Sequence, residues 1–262
     1  MQDLKVTLVQ IDQVWEDKGS NLQKYAEIFS QLEQTDLIVL PEMFQTGFSM
    51  RVNELAEEWN DSAGLIFLKH WSEKLNAAIY TSLIIQDRGN YYNRGVFVFP
   101  SGKLIYYDKR KSFALGGEDL YFKAGHEEII VEYQNWKINL QICFDLRFPE
   151  LVRNRLTKNF EAAYDILIYV ANWPEKRSNH WNALLRARAI ENQCYTIGVN
   201  RVGIDGNSLT YSGDSQVFNM SGSQIGNLTN VEENKNLVLN FSELSSFRKQ
   251  LPFLQTENKT KL

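Results

Sequence analysis

The sequence predicts an α/β fold with mixed β-sheets, and three observations support this fold class. In the first third of the chain, short apolar strands alternate with amphipathic segments of helical periodicity. In the middle, hairpin signals appear, the clearest being Pro100-Ser101-Gly102 between two strand-like runs. In the last third, two apolar strands flank one more amphipathic helix. Two packed sheets with helices outside, or one doubly wound sheet, would both satisfy this order.

Each predicted element follows from its own local pattern. Strands are predicted at 4–11, 36–40, 77–85, 96–99, 103–107, 129–133, 137–142, 164–170, 195–199, 217–219, 224–225 and 237–241. Helices are predicted at 21–33, 63–75 and 180–191, because apolar residues recur on one face of each. Asp61 or Ser62 supplies a cap for the second helix, and Pro149-Glu150 predicts the start of a further helical stretch.

Composition indicates an ordinary globular protein. The 262 residues are 44% hydrophobic, which is enough apolar surface for a folded core. No linker or repeat interrupts the chain, so one domain is predicted over 1–254, with a polar tail at 255–262. A formal net charge of -4 without a long basic run argues against nucleic acid as a partner. No stretch approaches the roughly 18 apolar residues of a membrane helix, and no signal peptide is recognisable.

The cysteines and histidines exclude two classes of site. Two cysteines in a chain of this length, Cys143 and Cys194, do not make a disulfide framework, so reduced thiols and a cytoplasmic location are predicted. His70, His126 and His180 show no metal-ligand spacing with one another or with the cysteines. No metal site is therefore predicted.

A glutamate, Glu42, stands directly after a buried apolar strand that ends at Pro41. Proline cannot continue a central ladder, and ligands bind at the carboxyl ends of strands in open α/β sheets. Partial desolvation beside the apolar Met43 and Phe44 would suit Glu42 to general-base catalysis. A solvated loop carboxylate is the alternative on local sequence alone.

A basic cluster, Lys109-Arg110-Lys111, ends a strand that is rich in tyrosine. A lysine held beside a reacting carbonyl stabilises the oxyanion of a tetrahedral intermediate. A solvated hairpin end explains the cluster as well, and local sequence does not separate Lys109 from Lys111.

Cys143 stands where an alternating strand ends in a turn. Such an elbow exposes a nucleophile and leaves neighbouring backbone N–H groups free to donate to an oxyanion. The alternative is a small buried hydrophobe, and Cys194, between a helix and an apolar strand, fits that alternative better. A histidine-dependent mechanism would require His126 or His180, and local sequence neither supports nor excludes them.

Taken together and in this order, these segments resemble the nitrilase superfamily of carbon–nitrogen hydrolases. Pro41-Glu42 is similar to the glutamate site of the family, Asp108-Lys109-Arg110 to its lysine site, and the run from Cys143 to Glu150 to its cysteine elbow. The resemblance covers about residues 3 to 245, and it continues through Val170-Ala171-Asn172-Trp173-Pro174, Arg186-Ala187-Arg188-Ala189-Ile190-Glu191-Asn192 and Asn200-Arg201-Val202-Gly203.

The resemblance implies a four-layer α-β-β-α sandwich of two mixed sheets, with no metal and no organic cofactor. It implies that Glu42 accepts the thiol proton, that Lys109 stabilises the tetrahedral intermediate and that Cys143 forms a thioester. Glu118 matches a second glutamate that many members keep beside the lysine. One departure is that many members have a histidine where this chain has Lys111.

Within the superfamily, the Cys-Phe-Asp-Leu-Arg-Phe-Pro and Ala-Asn-Trp-Pro segments are most similar to the omega-amidases, which deamidate 2-oxoglutaramate and 2-oxosuccinamate. These small amides carry a carboxylate, so a cationic partner is expected. The candidate cations are Arg147, Lys111 and Arg201. The candidate aromatic walls of the pocket are Phe44, Tyr121, Phe144 and Trp173.

Two further interpretations stay open at this point. One is another activity of the same superfamily, an N-carbamoyl amino acid amidase or a nitrilase. The other is a non-catalytic scaffold that binds a small carboxylate or a protein partner. The resemblance also implies a homodimer, because members commonly pair through one face of the sandwich.

Overall fold

A computed structural model describes residues 2–255 of the chain. The strands are β1 (Leu4–Gln10), β2 (Leu37–Val39), β3 (Glu57–Glu58), β4 (Ala78–Asp87), β5 (Asn90–Val98), β6 (Leu104–Asp108), β7 (Ile130–Tyr133), β8 (Trp136–Ile142), β9 (Ile166–Val170), β10 (Tyr195–Val199), β11 (Val202–Ile204), β12 (Thr210–Ser212), β13 (Gln216–Phe218), β14 (Gln224–Asn227) and β15 (Glu233–Leu239). The helices are α1 (Lys18–Ser30), α2 (Val52–Leu55), α3 (Ala63–Leu75), α4 (Glu118–Tyr121), α5 (Ser178–Asn192) and α6 (Phe241–Gln250).

Two mixed sheets hold most of these strands. The first has the order β15-β1-β2-β4-β5-β6, and β3 pairs with the end of β4. The second has the order β14-β13-β10-β9-β8-β7. In each sheet the central strands are parallel, β1-β2-β4 in the first and β10-β9-β8 in the second. Their outer partners run antiparallel, which confirms the prediction of mixed sheets.

The sheets pack face to face, and helices cover their outer faces. In β2, Leu37 and Val39 point into the core between the sheets, whereas Ile38 packs against the helix layer. That layer is formed by α1 and α3, which bury residues such as Phe29 and Leu68 on the first sheet. On the second sheet, α5 packs against β10 and β13. Because the central strands are covered on both faces, their sequences are continuous apolar runs. The predicted four-layer α-β-β-α sandwich is confirmed.

Three helices, α1, α3 and α6, begin where a side chain satisfies one of their first backbone N–H groups. Asp17 accepts from Ser20 at the start of α1, Ser62 accepts from Leu65 at the start of α3, and Asn240 accepts from Glu243 at the start of α6. Of the two predicted caps for α3, Ser62 is therefore the one used. Within residues 2–255, no helix is long and apolar enough to cross a membrane.

The helical stretch predicted to start at Pro149-Glu150 is confirmed only as a short 3-10 turn. Residues Cys143–Arg147 and Pro149–Leu151 form two short 3-10 turns, interrupted at Phe148 with φ -116° and ψ 87°. A residue before proline is disfavoured from the α region by its clash with the proline ring. The predicted tail at 255–262 lies outside the described residues except for Gln255.

Candidate active site

Glu42 lies just beyond the carboxyl end of β2, and its side chain is fully buried. One carboxylate oxygen accepts from Asn93 Nδ2 at 2.7 Å and from Lys109 Nζ at 3.0 Å. The other oxygen accepts from the backbone N–H of Asn172 at 2.9 Å. The Glu42 carbonyl accepts from Asn172 Nδ2 and from Gln13 Nε2. These donors stabilise a carboxylate in a buried place and fix its orientation.

Lys109 follows β6 and is bound by two glutamates. Its ammonium lies 2.9 Å from both oxygens of Glu118 as well as 3.0 Å from Glu42. Burial lowers the pKa of Lys109, and the charges of Glu118 and Glu42 more than offset this effect, so the net pKa is raised. The backbone N–H of Phe113 and the side chain of Asn93 also donate to Glu118. Lys109 is therefore a fixed ammonium.

Cys143 begins the first 3-10 turn after β8 and has a left-handed φ of 44°. This conformation is strained for a residue with a side chain and persists only when neighbours hold it. The Asp145 carboxylate stabilises the turn at Cys143 through hydrogen bonds. One of its oxygens accepts from Ile142 N at 3.1 Å and from the Tyr107 hydroxyl at 2.8 Å. The other oxygen accepts from Lys111 N at 2.9 Å. Asp145 thus connects the cysteine turn to both ends of the lysine segment.

The Cys143 thiol is 8% exposed, and its sulfur lies 4.0 Å from the carbonyl oxygen of Asn172. Burial and then the charge of Glu42 raise the pKa of this thiol well above its usual range, although Lys109 lowers it. The resting group is therefore a neutral thiol that needs a base during attack. Glu42 is the neighbouring carboxylate that can accept the proton.

A cavity of about 770 Å³ opens over Cys143. Three residues predicted to bind substrate border it: Phe144, Arg147 and Trp173. The Arg147 guanidinium lies 4.8 Å from the Trp173 ring centroid and 5.8 Å from that of Phe144. The wall is largely aromatic, with cationic and polar groups at separate points, as in many small-molecule sites. Among the described residues, no histidine borders this cavity, which argues against a cysteine–histidine mechanism.

Phe44 and Arg201, both predicted to contact substrate, lie away from this cavity. The Phe44 ring packs 5.4 Å from that of Tyr25, inside the helix–sheet core. Arg201 is fully buried, and its guanidinium donates to Asp12 at 2.6 Å and to the Gln13 carbonyl at 3.0 Å. The charge of Arg201 is therefore used to join β1 to the loop after β10.

Tyr121 and Lys111, also predicted to contact substrate, are not among the residues that line this cavity. Tyr121 ends α4 and is about half exposed, while Glu118 is the buried residue of that short helix. The Lys111 ammonium lies 4.6 Å over the ring of Phe148. The backbone N–H of Lys111 donates to Asp145.

Three residues of the site were not predicted to have roles there: Asn93, Asp145 and Asn172. Asp145 carries a signal in the sequence, since it follows Cys143 by two positions and can accept from the turn. Asn172 directly follows a buried strand, as Glu42 nearly does. Asn93 lies within β5 among tyrosines, and no local pattern marks it.

Comparison with known proteins gives matches over nearly the whole chain. The family model described as carbon-nitrogen hydrolase matches residues 5–240. The omega-amidase YafV of Escherichia coli K12 is 39% identical over 100% of both chains. The 2-oxoglutaramate amidase of Bacillus subtilis is 35% identical over 76% of both chains.

Solved structures agree with these matches. XC1258 from Xanthomonas campestris, a CN-hydrolase superfamily protein with an arsenic adduct in its active site, superposes with a TM-score of 0.95. That comparison covers 98% of this chain and 97% of the other, at 37% identity. Nit3 of Saccharomyces cerevisiae, a member of the nitrilase superfamily, gives a TM-score of 0.83 at 25% identity, covering 96% and 95% of the chains.

Proposed function

We propose that this chain, which belongs to the carbon-nitrogen hydrolase family, is an omega-amidase. It releases ammonia from a small amide that carries a carboxylate, of the 2-oxoglutaramate or 2-oxosuccinamate type. The observation that carries this proposal is the buried Glu42–Lys109–Glu118 cluster beside Cys143, at one end of a cavity bordered by Arg147. Relatives named as omega-amidase and 2-oxoglutaramate amidase support the choice of substrate.

The first half of the reaction acylates Cys143. Glu42 accepts the thiol proton while the sulfur attacks the amide carbon, because the thiol is neutral at rest. The tetrahedral oxyanion is held by Lys109 and by the backbone N–H of Phe144. The three N–H donors of the Lys109 ammonium are directed at Glu42 and at both oxygens of Glu118, so the oxyanion takes the place of one of the two Glu118 contacts. Glu42 returns the proton to the amide nitrogen, the carbon–nitrogen bond breaks, and ammonia leaves.

The second half hydrolyses the thioester. Glu42 accepts a proton from water, whose oxygen attacks the thioester carbon, and the same donors hold the second oxyanion. When the carbon–sulfur bond breaks, the proton returns to the sulfur and the carboxylic product leaves. Glu118 keeps Lys109 charged and in place during both halves.

Arg147 binds the carboxylate end of the substrate. Within residues 2–255 its guanidinium has no carboxylate partner; Nη2 contacts His180 Nδ1 at 3.1 Å. Its planar fork matches a carboxylate in two-point geometry. Cys143 and Arg147 line the same cavity, so the amide end and the carboxylate end of one small substrate can face them together.

A substrate panel tests the proposed function. Ammonia release is measured from 2-oxoglutaramate, 2-oxosuccinamate, a short aliphatic nitrile and an N-carbamoyl amino acid. The two oxo-acid amides should be turned over with the highest kcat/KM. Preferred turnover of the nitrile or of the carbamoyl compound would assign another activity to the same residues. Absence of turnover with all four would favour a non-catalytic scaffold.

The same proposal includes a homodimer that works in the cytoplasm. Both cysteines are free thiols in the described structure, which suits a reducing compartment. Sedimentation equilibrium should give twice the chain mass of 30.4 kDa. A single-chain mass across the working concentration range would remove the dimer from the proposal.

A further inference from the structure

A second arginine, Arg177, borders the same cavity as Arg147. It precedes α5, and its backbone carbonyl accepts from Trp173 Nε1 at 2.8 Å. Its guanidinium lies 5.3 Å over the ring of Phe113, the residue whose N–H donates to Glu118. In the part of the chain that is described, Arg177 forms no salt bridge with a carboxylate.

Arg147 and Arg177 lie close enough to affect each other. Burial lowers the pKa of Arg147, and the neighbouring charge of Arg177 lowers it further. Two like charges without a counterion on one partly buried wall are unfavourable unless an anion joins them. The structure therefore places an excess of positive charge where no side chain of the described residues neutralises it.

The other charged side chains that line the cavity already form ion pairs or hydrogen bonds within the protein. Arg51 is bound to Glu16 at 2.7 Å. The Asp205 carboxylate accepts from the backbone N–H groups of Asn207 and Leu209 and from the Tyr211 hydroxyl. Within residues 2–255, a ligand in this cavity therefore meets two guanidiniums that lack a carboxylate partner, and no carboxylate that lacks a donor.

We propose that Arg177 is a specificity-determining residue: together with Arg147 it selects amides whose far end is a 2-oxo carboxylate and rejects those that carry an α-ammonium. This inference rests on the proposed function. A carboxylate and the adjacent oxo oxygen offer acceptors to two guanidinium forks. An α-ammonium in place of the oxo group has only donors and a like charge, so its approach to the pair is repulsive.

Steady-state kinetics of Arg177→Gln test this assignment. The substrates are 2-oxoglutaramate and glutamine, which differ only in the oxo or ammonium group. Lys176→Gln is the matched control, because it removes one positive charge from the adjacent, exposed position that does not border the cavity. Arg177→Lys keeps the positive charge but loses the planar, two-point donor geometry of the guanidinium. Alkylation of Cys143 by iodoacetamide, an uncharged amide, reports whether the reacting end is intact.

Arg177→Gln should lower kcat/KM for 2-oxoglutaramate roughly 10- to 100-fold, mainly through KM, as expected for loss of a charged hydrogen bond. The ratio of 2-oxoglutaramate to glutamine turnover should fall, Arg177→Lys should be intermediate, and the control and the alkylation rate should be unchanged. An unchanged ratio in Arg177→Gln, or an equal loss of alkylation rate, would overturn the assignment. A wild-type enzyme inactive toward both 2-oxoglutaramate and 2-oxosuccinamate would instead refute the proposed function, and this inference with it.

Discussion

At the scale of single residues, the site combines a neutral nucleophile with a charged lysine. The pKa of Cys143 is raised by burial and by Glu42, whereas the pKa of Lys109 is raised by its two glutamates. A preformed thiolate is therefore not the resting state, in contrast to cysteines activated by a lowered pKa. The thiol loses its proton only as its sulfur attacks the substrate carbonyl. Because Glu42 accepts that proton, Glu42 is essential in the proposed mechanism.

Glu42→Gln tests the role of that carboxylate. The amide has a similar shape, and Lys109 keeps its bonds to Glu118, so the fold should be retained. Loss of a general base should lower kcat on the order of 100- to 10,000-fold. Iodoacetamide alkylation of Cys143 should not slow, because the charge that raises the thiol pKa has been removed. Near-normal kcat with an unchanged pH–rate profile would show that Glu42 is only structural.

The raised pKa of Asp145 predicts how activity falls on the acid side of the pH–rate profile. Burial raises its pKa to about 6, although Lys109 and its hydrogen-bond donors oppose the rise. Above this pH the carboxylate accepts from Ile142, Lys111 and Tyr107. Below it, the bound proton turns one acceptor into a donor and the cysteine turn loosens. Activity should therefore fall as the pH falls through about 6.

The variant Asp145→Asn separates this residue from other titrating groups. Its amide group cannot accept from all three donors, so kcat should drop at every pH, on the order of 100-fold for a misplaced nucleophile. The inflection near pH 6 should vanish from log kcat plotted against pH. Persistence of the same inflection in the variant would assign it to another group.

At the scale of elements, strand ends and their turns position the catalytic atoms. The end of β6 is held by Gly125, whose N–H donates to the carbonyl of Lys109 at 2.9 Å. A Cβ at position 125 would meet the carbonyl oxygen of Asp108 far inside contact distance. The close approach of these two backbone segments therefore requires glycine at this position.

Gly125→Ala should displace Lys109 as the backbone yields. We expect destabilisation of about 1–3 kcal/mol, the usual cost of overpacking, together with a lower kcat. Gly19→Ala is the matched control, because its added Cβ makes only an ordinary contact at the start of α1. Urea denaturation and kcat measured for both variants check the prediction. Equal behaviour of the two variants would show that the approach to Asp108 is not constrained.

The bounds of elements with one strong hydrophobic periodicity could be predicted from the sequence. The bounds of elements that begin or end at a tight turn were harder to predict. The bounds of α3 and β10 match the predictions 63–75 and 195–199. In contrast, β5 begins at Asn90 rather than at 96, because a tight turn at Arg88 and Gly89, both with positive φ, starts the hairpin earlier. Helix α6 was not predicted, since its polar sequence buries only Leu244.

At the scale of the whole molecule, the site joins two sheets. Glu42 and Lys109 follow strands of the first sheet, and Cys143 and Asn172 follow strands of the second. The sequence could indicate each residue at a strand end, and the family resemblance could order them. Local patterns could not show that Asn172 spans the sheet interface by donating to Glu42, because that contact depends on how the sheets pack.

The same limit explains why some residues predicted to contact substrate lie away from the cavity. Arginine and aromatic residues are equally suited to a pocket wall and to a core, and their sequence neighbours do not separate the two. Arg201 and Phe44 became buried parts of the scaffold, whereas Arg147 and Trp173 border the cavity. Only the three-dimensional arrangement of the loops determines whether each of these side chains faces the cavity or the core.

The central claim is that Cys143 carries the acyl group of the amide as a thioester after ammonia leaves. The most direct measurement is mass spectrometry of enzyme quenched with acid at successive times during a single turnover of 2-oxoglutaramate. The wild-type protein should gain the mass of the acyl group transiently, on the peptide that contains Cys143, and Cys143→Ala should show neither the adduct nor turnover. Turnover without any adduct on that peptide, together with near-normal ammonia release by Cys143→Ala, would contradict the account.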